Sequence, residues 1–107
     1  MLKHIVFLKA DADFDKKELD TLFAQVKYLK KLLPGIMSLS HSDKLIQQNN
    51  DLIDQKFTHA YSMDFIDSDL FTQYLESTYY QEIKKRLKKL TDNSSENLLI
   101  CNYEFEY

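Results

Sequence analysis

The sequence contains few residues that break secondary structure, because its 107 residues include one proline and one glycine, adjacent at Pro34-Gly35. A phosphate-binding loop needs several glycines whose backbone amides can approach phosphate oxygens. The sequence has no such segment, which excludes the common nucleotide-binding loops. The Pro34-Gly35 pair instead predicts a sharp helix end, with Gly35 free to adopt a left-handed conformation.

Cysteine is equally scarce, since Cys101 is the only one in the chain. A single cysteine excludes an internal disulfide and fits a reducing compartment. Three scattered histidines without a cysteine pair do not have the ligand spacing of a structural zinc site. We therefore expect no metal and no cofactor, and a cytoplasmic location.

Long apolar runs and an excess of positive charge are also missing. No stretch approaches the roughly 20 apolar residues of a membrane helix, and the run at residues 5–8 is too short for a secretion signal. The net charge of −3 argues against a general nucleic-acid binder, because neutralising phosphates requires a basic surface. We expect neither a membrane nor a nucleic-acid partner. The basic cluster at residues 84–89 is interpreted as a solvated helix end, with a phosphate- or RNA-binding patch as the alternative.

Apolar and aromatic residues are plentiful, at 44% and 13% of the chain, and predict one packed domain over residues 1–107. Within this domain, the stretch 56–82 carries a predicted strand followed directly by a predicted helix. Residues 57–65 alternate in the manner of a strand, with His59, Tyr61 and Met63 on one side. Asp67 and its neighbours can then cap a helix that carries Tyr74.

The remaining periodicities complete a pattern of seven elements. The predicted elements are strand 2–10, helix Lys16–Leu33, strand Ile36–Ile46, strand 57–65, helix 70–75, helix Tyr79–Leu90 and strand Asn97–Tyr107. The order β-α-β-β-α-α-β predicts a ferredoxin-like α+β sandwich with an antiparallel four-stranded sheet.

The first strand is apolar on both faces, with Ile5 and Phe7 on one side and His4, Val6 and Leu8 on the other. The helices of such a sandwich cover only one face of the sheet. A second copy of the same sheet is the simplest cover for the other face. We therefore predict a homodimer in which two sheets form a dimeric α/β barrel.

Several short segments, in this order and spacing, resemble the stress-responsive dimeric A/B-barrel family. They are residues 1–9, Leu33-Pro34-Gly35-Ile36, Phe57-Thr58-His59-Ala60, Asp64-Phe65, Tyr74-Leu75 and Cys101-Asn102-Tyr103. The resemblance covers nearly the whole chain and implies the same dimeric barrel.

The enzyme members of that family resemble polyketide cyclases, in which a tyrosine and a histidine act beside two strand histidines. By this resemblance the strand histidines correspond to His4 and His59, and the tyrosine to Tyr74. The Tyr-x-x-His-Pro-x-His pattern of the family reads Tyr-Leu-Glu-Ser-Thr-Tyr-Tyr from Tyr74, so Tyr80 occupies the position of the base. A general base works best with a pKa near the operating pH, as imidazole has, whereas the pKa of tyrosine is about 10. We therefore assign no catalytic residue.

The predicted ligand-binding residues are therefore His4, His59, Tyr74 and Tyr80, which place an apolar wall beside a few polar groups. The favoured function is binding of a small, partly apolar molecule, with the stress-related role that the family name implies. One alternative is a cofactor-independent cyclase or isomerase that uses His4 or His59. The other is a structural or protein-interaction module, in which these four side chains satisfy one another within a filled core.

Overall fold

The computed structural model describes residues 1–10, 16–42, 45 and 56–106. The chain forms β1 (Leu2–Leu8), α1 (Lys16–Leu32), β2 (Ile36–Ser42), β3 (His59–Phe65), α2 (Ser68–Leu75), α3 (Thr78–Leu90), a 3-10 turn (Ser95–Asn97) and β4 (Leu98–Glu104). This order confirms the ferredoxin-like α+β fold.

The observed strands are shorter than the alternation of apolar residues predicts. β1 ends at Leu8 rather than at residue 10, and β4 covers residues 98–104 rather than 97–107. β3 begins at His59, two residues later than predicted, although the amide of Thr58 still donates to the Leu8 carbonyl at 3.0 Å. The prediction that the second strand continues to Ile46 lies mostly outside the described residues.

The four strands form one antiparallel sheet in the order β2-β3-β1-β4. β1 is central: Leu2 lies opposite Phe65 of β3, and Leu8 lies opposite His59. On its other side β1 pairs with β4, so that Leu8 lies opposite Leu98. Residues paired across neighbouring strands point to the same face, so this register fixes which side chains can meet.

The helices cover one face of the sheet and bury the hydrophobic core against it. Alternate residues of β1 are buried there, from Leu2 to Leu8. α1 contributes one buried stripe, which comprises Leu19, Leu22, Phe23, Val26 and Leu29. This stripe follows the i, i+3, i+4 spacing of an amphipathic helix. The turn after α1 passes through Gly35, whose φ of +89° is the left-handed conformation that the sequence predicts.

The opposite face, which we call the open face, is not covered by any of the described residues. Ile5 and Phe7 are half-buried there by their neighbours on the sheet. On β4, Leu99 and Tyr103 are 43% and 50% exposed, and Cys101 is exposed between them. The two-sided apolar character of β1 is therefore real, and one of its sides faces outward.

Candidate functional site

His4 lies on the covered face of β1 and is almost fully buried, at 2% exposure. It pairs across the ladder with Asn102 of β4, and its Nδ1 is 2.6 Å from the Asn102 Oδ1. Because an amide oxygen can only accept a hydrogen bond, Nδ1 is the protonated nitrogen. The other ring nitrogen, Nε2, is then available as an acceptor.

Burial lowers the pKa of His4 below its ordinary value, and the hydrogen bond to Asn102 opposes this only in part. The physical cause is the loss of water around the charged form of the ring. The imidazole is therefore neutral at neutral pH.

Tyr74 meets His4 from the helix layer. α2 begins where the Asp67 side chain accepts from the amide of Leu70 at 3.0 Å, and Tyr74 lies with Phe71 on its buried face. The Tyr74 ring lies 6.1 Å from the His4 ring between centroids. Its hydroxyl is buried and has no hydrogen-bond partner among the described residues. Burial, with the nearby Tyr80 as a smaller cause, raises the pKa of Tyr74 above its ordinary value.

Ser77 joins α2 to α3 and brings Tyr80 beside Tyr74. Its hydroxyl donates to the carbonyl of Tyr74 at 2.6 Å and accepts from the amide of Tyr80 at 3.2 Å. The two tyrosine rings meet edge to face with centroids 5.3 Å apart. A single serine thus orients both helical residues of the cluster.

Tyr61 is a further member of the cluster that the sequence reasoning did not assign to the site. It is buried on β3, with its ring 6.5 Å from that of His4. Burial raises its pKa well above the ordinary tyrosine value, with Tyr74 and Tyr80 as secondary causes. Its place on the same strand face as His59 was the signal that could have identified it.

Phenylalanine rings complete the apolar wall. Phe71 lies 5.1 Å from His4 between ring centroids, and Phe65 lies 5.6 Å from Tyr74. The cluster therefore combines aromatic surface with the hydroxyl of Tyr74 and a nitrogen of His4, which is the usual composition of a small-molecule site.

His59 lies apart from the other three predicted residues. It is four residues along β3 from Met63, which pairs with His4, a separation of about 13 Å at the rise of a strand. Its Nδ1 is 2.7 Å from the Thr58 hydroxyl, and its ring neighbours Phe23 at 6.3 Å. The structure thus brings His4, Tyr74 and Tyr80 together and places His59 towards the other end of the covered face.

Burial keeps His4, Tyr61 and Tyr74 uncharged at pH 7, because it lowers the pKa of the imidazole and raises the pKa of both phenols. Within the described ranges, no three His, Cys, Asp or Glu side chains come together in a way that could hold a metal ion. In the same part of the chain, no helix has the length and apolarity to cross a membrane. The cluster can donate a hydrogen bond from Tyr74 and accept one at His4.

Comparison with known proteins gives one family match and several similar folds. The family model of the stress responsive A/B barrel domain matches residues 2–103. A hydroxynitrile lyase from Passiflora edulis has a TM-score of 0.77 at 22% identity, over 98% of this chain and 93% of that chain. No curated protein matches the sequence.

Two further solved structures show the same fold. One is a dimeric ferredoxin-like protein of unknown function from Jannaschia sp. CCS1, with a TM-score of 0.82 and 17% identity over 97% of this chain and 98% of that one. The other is a Dabb family protein with a ferredoxin-like fold from Mesorhizobium loti, with a TM-score of 0.67 and 15% identity over 99% and 97%.

Proposed function

The chain belongs to the stress responsive A/B barrel domain family, and from this premise we propose that it binds a small, partly apolar molecule as a homodimeric barrel. The proposed site is the cluster of His4, Tyr61, Tyr74 and Tyr80. A ligand there would be enclosed between the sheet and the two helices α2 and α3.

The observation that carries this proposal is the unpartnered hydroxyl of Tyr74. A buried donor without an acceptor costs about 1–3 kcal/mol, so a stable fold rarely keeps one without a use. A ligand oxygen bound beside the ring would accept this hydrogen bond. The nearby His4 Nε2 would accept one from a ligand donor, and the aromatic wall would bury the apolar part.

The homodimer is proposed from the open face. Its half-buried Ile5 and Phe7 and its exposed Leu99 and Tyr103 form an apolar surface on a sheet that helices cover on one side only. A second copy would remove this surface from water by packing sheet against sheet. The similar fold from Jannaschia sp. CCS1 is described as dimeric, which supports the same assembly here.

Ligand-observed NMR with a set of neutral aromatic ketones and phenols tests the site, and the tightest-binding fragment then serves as the probe. We expect Tyr74→Phe to weaken that fragment about tenfold, the equivalent of one hydrogen bond. His59→Phe should change its affinity less than about twofold, because His59 lies about 13 Å along the strand. Equal binding to the wild type and to Tyr74→Phe would contradict the proposal, as would a larger loss in His59→Phe.

A second candidate is a cofactor-independent enzyme of the cyclase or isomerase type, favoured by the neutral His4 beside Tyr74. In such a reaction His4 Nε2 would take a proton next to a carbonyl, while the Tyr74 hydroxyl would donate to the carbonyl oxygen as negative charge develops there. Exchange of that proton for deuterium, measured with a ketone probe in D₂O, separates catalysis from binding. Exchange above the buffer rate that is lost in His4→Gln would identify an enzyme.

A further inference from the structure

Charge is distributed very unevenly between the outer helices and the rest of the chain. α1 and α3 together carry ten basic and three acidic residues, a net charge of +7, although the whole chain has a net charge of −3. Nine of the ten basic side chains are exposed, and Arg86 is half-buried. The two helices therefore present a strongly positive surface on an acidic protein.

A groove with two halves lies between these two antiparallel helices. Where the halves meet, Gln25 of α1 contacts Glu82 at 3.3 Å and Arg86 at 2.8 Å on α3. At one end the Glu18 carboxylate accepts from Arg86 at 2.7 Å and from Lys89 at 3.1 Å. This basic half is a depression of about 350 Å³ that Lys85 and Glu82 also line. Glu18 and Leu32 are fourteen residues apart on α1, so the groove is about 21 Å long.

The other half of the groove is apolar. It has a volume of about 200 Å³, with walls formed by Tyr28, Leu32 and Tyr79 over a floor of Leu29 and Ile83. The three wall residues are 55%, 38% and 37% exposed. They lie on the helix layer, so a dimer formed through the open face would leave them in water. Exposed apolar residues that line one depression indicate a binding surface.

We propose that the groove between α1 and α3 binds an acidic amphipathic helix of a partner protein. Apolar side chains of that helix would enter the half walled by Tyr28 and Tyr79, in the manner of helix-in-groove recognition. Its carboxylates would face Lys85 and Lys89, which line the basic half. The match rests on charge complementarity combined with the apolar groove, and it is independent of the small-molecule site.

The shape and charge of the groove favour a protein helix over other acidic partners. A flat lipid surface cannot enter a concave depression whose apolar residues form its walls. A nucleic acid would make little use of the apolar half, because no basic residue is among those that line it. A small anion needs one or two cations, whereas the basic residues extend along both helices.

The probe is a capped 18-residue synthetic helix with leucines at i, i+3, i+4 and i+7 and glutamates at most other positions. The controls are the same peptide with lysines in place of the glutamates, and a scrambled peptide of the original composition. Binding to the isotope-labelled full chain is followed by backbone amide shifts. We expect shifts confined to α1 and α3, an affinity that falls as salt rises, and at least about tenfold weaker binding of both controls.

Matched variants then test the groove. Lys85→Glu should weaken the acidic peptide by at least about fivefold, whereas Lys84→Glu, the same charge change at a residue that does not line the groove, should change it less than about twofold. Tyr28→Ser, at an exposed position, should weaken it without unfolding the chain, which circular dichroism checks.

Three results would overturn the proposal. The first is equal losses in Lys85→Glu and Lys84→Glu, and the second is peptide shifts on the open face. The third is binding of anionic vesicles or of a short RNA through α1 and α3 without binding of the acidic peptide. The last result would reassign the basic surface to a membrane or to a nucleic acid.

Discussion

At the scale of single residues, the buried imidazole of His4 links stability to pH. The unfolded chain protonates His4 near the ordinary pKa of about 6.5, while burial lowers the pKa in the folded chain. The unfolded state therefore binds more protons as the pH falls below about 6.5. The contribution of His4 to the free energy of unfolding is fully present above that pH. As the pH falls towards the pKa of the folded chain, this contribution is lost by up to about 1.4 kcal/mol per pH unit.

Urea denaturation between pH 5.5 and 7.5 measures this effect. We expect His4→Gln to flatten the rise of unfolding free energy with pH, because glutamine does not titrate in this range. His41→Gln, at an exposed position, serves as the control and should keep the slope. An unchanged slope in His4→Gln would show that the folded chain does not hold His4 neutral.

Tyr80 leads to a prediction about catalysis. It stands where the enzymes that the chain resembles have a histidine, and a phenol is a poor general base at neutral pH. We expect no cyclisation of a linear polyketide thioester above the rate in buffer alone. Chromatography of the products measures this rate. Measured turnover that disappears in Tyr74→Phe would contradict this and would favour the enzyme candidate. Tyr80→His need not create activity, because Ser77 and Thr78 also differ from the family pattern.

The sequence could predict part of the cluster because strand parity and helical spacing determine faces. The alternation of side chains along β1 predicted that His4 lies on the covered face. The helical spacing of α2 predicted that Tyr74 faces it. Parity does not give position along a strand, so it grouped His59 with His4 although they lie about 13 Å apart. Asn102 could be linked to His4 only through the register of β1 with β4, which no local pattern contains.

At the scale of elements, Ser77 controls how α2 passes into α3. Ser77→Ala removes the cap on the amide of Tyr80 and the bond to the Tyr74 carbonyl, so we expect a loss of about 1 kcal/mol in unfolding free energy. Ser77→Asp keeps an acceptor for the cap and should lose less. Urea denaturation compares the two, and an equal loss would mean that the cap contributes nothing.

The order and type of the elements followed from periodicity, whereas their ends did not. The alternation of apolar residues continues past Leu8 and Glu104, but the regular ladders of β1 with β3 and β4 end at these residues. Helix ends were closer to the prediction, because Pro34-Gly35 and Ser77 carry local signals. Strand ends depend on distant partners, which a single sequence does not reveal.

At the scale of the whole molecule, the open face leads to a prediction about assembly. We expect light scattering to give about twice the chain mass of 12.7 kDa. Leu99→Lys places a charge on the exposed β4 surface and should yield a folded monomer, because a buried unpaired charge opposes association. A charge at Phe7 should split the dimer or unfold the chain, since Phe7 is already half-buried.

Tyr28→Lys is the control for assembly, because Tyr28 is an exposed aromatic residue on the helix layer. It should leave the dimer intact. A wild-type mass of one chain at all concentrations would contradict the barrel, as would a Leu99→Lys variant that remains dimeric.

The central position of β1 also has a consequence for synthesis on the ribosome. The first strand made pairs with residues 59–65 and 98–104, so its second neighbour is translated on the order of 5–20 s later at ~5–20 residues per second. Until residues 98–104 are made, this segment, which is apolar on both faces, lacks one of its two strand partners, a state prone to intermolecular pairing. The yield of folded protein should therefore rise when chaperones cover the nascent strand. A lower growth temperature should also raise it.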